Sequence, residues 1–187
     1  MQIIVPEIPI PDHWRRAYGL VIRWNMVAAI WGALDPESDV LYLYSEYFAE
    51  ADPAVHAAAI RSRGHWIHGL IEPTANGRVE ADGFELIRLY EKRGLHLEST
   101  HNPVESGILN VGQRMNSGRL KVFPSLSKYL EERRLYRRDE RDQMVKEGGD
   151  LQDATRCLVS GISYMRTKPK PPSMPPHVVY GDRSWMA

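Results

Sequence analysis

The chain has 187 residues, enough for one well-buried core, and a second full domain is not expected. An apolar fraction of 43% and a charged fraction of 26% are ordinary for a globular protein, and no run approaches the ~20 apolar residues of a membrane helix. Zero net charge argues against a purely electrostatic nucleic-acid binder, and one cysteine, Cys157, excludes a disulfide framework and fits a reducing cytosol.

Residues 1–16 carry Pro6, Pro9 and Pro11 and read as an extended lead-in, without the charged and apolar regions of a signal peptide. Three apolar runs follow, Ala17–Trp24, Val27–Leu34 and Val40–Phe48, the last two joined by the turn formers of Asp35-Pro36-Glu37-Ser38-Asp39. Their β-branched and aromatic content predicts an antiparallel meander. Asp52-Pro53 then opens a helix that Gly64 closes, and Trp66–Pro73 is a strand. A loop over 74–83 leads into a helix carried by Phe84, Ile87 and Tyr90, which ends at Gly94.

His96–Thr100 is a further strand. Ile108, Val111 and Met115 place a helix over Val104–Ser117, with Asn102 and Glu105 in the pattern of a capping box. Leu120–Phe123 is a strand and Leu126–Arg138 an amphipathic segment. Leu151, Ala154, Leu158, Ile162 and Met165 form the stripe of a last helix, in which Cys157 is core. From Lys168 a proline-rich tail is extended or disordered. A core domain over 17–167 follows. Three antiparallel strands and then strands alternating with helices predict an α/β fold, a mixed sheet flanked by helices.

Between Arg114 and Lys146 ten Lys/Arg stand against five Asp/Glu, with Phe123, Tyr129 and Tyr136 interleaved. Such a face suits a phosphate backbone or, equally, a solvated helix surface. There is no phosphate-binding Gly-x-x-x-x-Gly-Lys-Ser/Thr loop, so ATP hydrolysis by this chain alone is not expected. A Gly-x-Ser-x-Gly elbow and a Cys-x-x-Cys pair are also missing from the sequence.

Several segments occur together in one order. They are Tyr18-Gly19-Leu20, Trp24-Asn25, Ala28-Ala29-Ile30-Trp31-Gly32-Ala33, Gly69-Leu70-Ile71-Glu72-Pro73, and Asn102-Pro103-Val104-Glu105-Ser106-Gly107-Ile108. Ser117–Phe123, Tyr136–Glu140 and Asp150–Arg156 follow. In this order they resemble the C-terminal nuclease domain of the large subunit of a tailed-bacteriophage or prophage DNA-packaging terminase. The resemblance implies an RNase H-like sheet in which the first strand neighbours the fourth, so that positions 21 and 72 lie side by side.

It also implies three acids, on the first strand, the fourth strand and the last helix, that hold two Mg²⁺ or Mn²⁺ ions about 4 Å apart. Glu72 stands where the family has an Asp, Asp153 matches the last-helix acid, and Asp150 stands where His is common and would add an oxygen. The family's first-strand Asp is here Val21, so competence in cleavage is in question. Asp150 at the N-cap with Asp153 three residues on also suits a plain helix start. The resemblance further implies phosphate contacts from Arg119, Lys121, Arg137 and Arg138. Its partners would be double-stranded DNA, a terminase ATPase domain, a small terminase subunit and a portal, in the cytoplasm of a bacterial host. The expected activity is metal-dependent endonucleolytic cleavage of concatemeric DNA. The alternatives are a nuclease-inactive DNA-binding or motor-docking module, or another RNase H-like enzyme such as a resolvase.

Overall fold

The computed structural model describes residues 2–72, 74–75, 78–79, 81–101, 103–135 and 149–171. Its meander consists of β1 (Arg15–Arg23), β2 (Met26–Leu34) and β3 (Leu41–Glu50), antiparallel in that order. After α1 (Pro53–Arg61), β4 (Gly69–Ile71) returns parallel to β1. A small hairpin, β5 (Thr74–Ala75) and β6 (Arg78–Val79), leads to α2 (Ala81–Glu91). Next come β7 (Leu97–Ser99), α3 (Val104–Asn116), β8 (Leu120–Val122), α4 (Ser127–Leu135) and α5 (Asp150–Ser160), closed by a 3₁₀ turn at Ile162–Tyr164.

The six-stranded sheet runs β7-β4-β1-β2-β3-β8, with β4, β7 and β8 each parallel to a neighbour. Side chains alternate across β1 because a strand has period two. Tyr18 and Leu20 join Ala57, Ile60, Ile87 and Tyr90 on the α1/α2 face. Ala17 and Val21 face the other way, into the cluster with Leu151, Ala154 and Leu158 of α5. β2 needs apolar residues on both faces and has them, since Val27 to Leu34 are all buried. Residues 3–5 of the lead-in pair with the outer edge of β8, where Val5 N–H donates to the Val122 carbonyl and Val122 N–H to that of Ile3.

The mixed α/β sheet is as the sequence predicts, with four local corrections. Part of the expected 74–83 loop is paired as β5–β6, and α2 starts three residues early. The last helix does not run to Met165: it ends at Ser160, and after Gly161 the chain tightens into the 3₁₀ turn. Asp150 is not the cap but the first helical residue, with Gly149 before it. The expected cap Asn102 lies outside the described residues, as do 136–148 and the tail from residue 172.

Candidate active site

One close approach builds the site. α5 crosses β1 so tightly that a Cβ on Gly19 would stand 1.7 Å from the Ala154 carbonyl oxygen. Only glycine permits this contact, and it places Asp153, next to Ala154, over the end of β1. The parallel register pairs Leu20 with Ile71, so Val21 lies level with Glu72 at adjacent strand ends. Val21 shares the α5-facing side of β1, and two residues on, Arg23 extends that side to the strand's end.

Three carboxylates and two guanidiniums alternate here. Arg156 donates through Nη1 to Glu72 Oε2 at 2.5 Å, and its Nη2 stands 3.7 Å from Asp153 Oδ1. Arg23 donates through Nε to Asp150 Oδ1 at 2.6 Å, and its Nη2 stands 3.8 Å from Asp153 Oδ2. The first pairs are charge-assisted hydrogen bonds; the two to Asp153 are ion-pair distances beyond hydrogen-bond length. Glu72, Asp153 and Arg156 are nearly buried, whereas Arg23 is 51% exposed. The stem of Arg156 passes under α3, where a Cβ on Gly107 would lie 2.6 Å from its Cγ.

α4 fixes the start of α5. The buried Glu132 accepts through Oε2 from the N–H groups of Leu151 at 2.8 Å and Gln152 at 3.3 Å. That is the work of an N-cap side chain, done from another helix, and it leaves Asp150 to Arg23. Burial pushes the Glu132 carboxyl up to about 7, although both backbone donors pull it down. Burial likewise raises the Cys157 thiol to about 11, consistent with a core residue.

The structure therefore links Glu72, Asp153 and Asp150 through Arg156 and Arg23. It does not bring Arg119 and Lys121 to them. β8 runs parallel to β3, and this puts Arg119 beside the β2–β3 turn, at the opposite end of the sheet. There Arg119 donates to Asp39 Oδ2 at 3.1 Å and to Ser117 Oγ at 3.0 Å, and Lys121 donates to the Gln2 carbonyl at 3.0 Å. Arg137 and Arg138 lie outside the described residues. Sequence reasoning missed Arg23, Arg156 and Glu132. Arg23 was within reach, since period two puts positions 21 and 23 on one face.

The oxygen donors suit a hard cation such as Mg²⁺ or Mn²⁺, which is commonly held by one or two carboxylates with water completing the shell. Glu72 and Asp153 are donors of that kind, and in this structure both face the Arg156 guanidinium, which an ion would have to share or displace. Among the described residues no three His, Cys, Asp or Glu side chains group closely enough to hold a metal, and Val21 withholds the acid a second ion would need.

No family model matches the chain. It is 32% identical over 157 residues to the terminase large subunit of Enterobacteria phage LP7 and, equally, to that of Salmonella phage P22, matches that take in 78% of this chain. It superimposes on the P22 large terminase nuclease domain with a TM-score of 0.81 at 28% identity, covering 88% of this chain and 90% of that one. This chain resembles the nuclease domain of the terminase large subunits. It spans about a third of the length of the two phage relatives. The large-terminase nuclease domain of bacteriophage SPP1, solved with bound Mn, shares the terminase nuclease fold at a TM-score of 0.60 and 15% identity, over 87% of this chain and 96% of that one.

Proposed function

We propose that the chain is the endonuclease domain of a terminase large subunit, cutting concatemeric double-stranded DNA in a metal-dependent reaction during genome packaging. The observation that carries this reading is the convergence of Glu72 and Asp153 on Arg156, at the adjacent ends of β1 and β4. Glu72 and Asp153 would hold the ion, and Asp150 would add an oxygen only after it moves off Arg23 and closer to them. A bound Mg²⁺ or Mn²⁺ supplies Lewis acidity, easing deprotonation of water and offsetting charge on the phosphate. Arg156, fixed by its packing, holds the two carboxylates apart in a set geometry. Arg137 and Arg138 are proposed as backbone-phosphate contacts. The ATPase domain, small subunit and portal are the partners proposed for the whole protein, acting in the cytoplasm of the host bacterium.

The test is cleavage of plasmid DNA in Mg²⁺ and Mn²⁺. The unaltered chain should cut weakly, because the third acid is Val21. Val21→Asp should raise the rate and Asp153→Ala should abolish it. Cleavage that survives Asp153→Ala, or none even with Val21→Asp, would refute the reading. In parallel, Arg137 and Arg138 changed together to Ala should flatten the salt dependence of duplex binding by up to about two units on a log–log plot.

A further inference from the structure

The two arginines of the acidic cluster are held very differently. Arg156 is nearly buried, and its stem is clamped beneath Gly107. Arg23 is half-exposed at the very end of β1, and the next residue, Trp24 at the tip of the turn into β2, is 91% exposed. The Arg23 side of its pair with Asp150 is open to solvent, so the guanidinium can swing to another anion without being buried unpaired. A guanidinium matches a phosphodiester as well as it matches a carboxylate. A cation entering among Asp150 and Asp153 and the Arg23 side chain compete for the same oxygens.

We propose that Arg23 is an exchangeable cation that couples metal binding to DNA binding. In the free protein it pairs with Asp150, stands 3.8 Å from Asp153 and opposes entry of a divalent ion. When DNA arrives, Arg23 turns to a backbone phosphate and the carboxylates are released to the ion. Both ligands then favour the same released state, so each must tighten the other. Arg23 acts here as a positioning residue, and the idea rests on the nuclease reading above.

Mn²⁺ affinity tests this without reference to cleavage. It is measured by titration calorimetry at ~0.15 M ionic strength, with and without a short phosphorothioate duplex that resists cutting. In the wild-type chain the duplex should tighten Mn²⁺ binding on the order of tenfold. Arg23→Ala should show that gain already without DNA and gain little more when DNA is added. Arg23→Lys, which keeps the charge but not the planar fork, should fall between. Lys168→Ala, which removes one charge at the opposite end of β1 where Lys168 pairs with Asp12, should behave as wild type. Equal DNA-free Mn²⁺ affinities in wild type and Arg23→Ala would overturn the coupling and leave the nuclease reading intact. No Mn²⁺ binding by either protein would overturn both.

Discussion

Near the start of β1, Arg114 and Arg119 both reach a single acid, Asp39, whereas at the end of β1 two arginines are shared among three acids. The Asp39 cluster ties a turn to a second loop 75 and 80 residues further on. Asp39 has a left-handed φ of 54° in the β2–β3 turn, and its partners flank the link between α3 and β8. Asp39 and Arg119 are half-exposed, Arg114 is largely covered, and together they fasten a turn. The acidic cluster draws on β1, the end of β4 and α5, and among the described residues it sets Arg23 and Arg156 against Glu72, Asp150 and Asp153 in a nearly buried place. A run of basic residues in the sequence is thus a poor guide to where phosphate binds, because some of those cations are already engaged by the fold.

The two ends should respond differently to substitution. Gly19→Ala attacks the close approach that holds the acidic end together. It should destabilise the protein by about 3 kcal/mol or more, since a backbone carbonyl cannot move aside as a side chain can. Chemical denaturation would measure it, and a change well below 1 kcal/mol would mean that α5 can shift without harm.

Glu132 sharpens the same end through pH. Its folded-state value, about 7, lies above the ordinary 4.5, so its carboxyl contributes stability that is full below about pH 4.5 and is lost as pH rises through about 7. Glu132→Gln keeps an acceptor for the α5 N–H groups and removes the ionisation. The variant should match wild type near pH 4.5 and exceed it at pH 8 by on the order of 2 kcal/mol, after allowance for solvent screening. A stability difference that does not vary with pH would show that Glu132 titrates normally.

At the other end, Asp39→Ala loses its ion pairs and the residue type that tolerates a left-handed φ, a cost of about 1 kcal/mol. The rate of DNA cleavage should be unchanged, which the plasmid assay reads directly. Arg119 and Lys121 changed together to Ala should have the smallest effect, leaving the salt dependence of duplex binding as it was. A slope flattened by about two units would bring DNA to this end of the sheet and undo the contrast.

The meander, the helices α1 and α3 and the adjacency of positions 21 and 72 were legible because they rest on local period, turn chemistry and a recognisable order of motifs. Val21, lacking the family acid, was legible for the same reason. The β5–β6 hairpin was not, since two-residue strands have no period to read. Nor was the end of α5 at Ser160, since the apolar stripe continues past it into the 3₁₀ turn.

The sequence by itself determined which carboxylates were candidates, because residue type and motif order are local properties of the chain. Only the tertiary structure decided what those carboxylates face. Arg23 and Arg156 are far from Glu72 in the sequence, and burial forces buried charges to find partners wherever the fold brings them. The capping of α5 by Glu132 and the diversion of Arg119 to Asp39 were decided in the same way, by strand register and helix packing that no local pattern encodes.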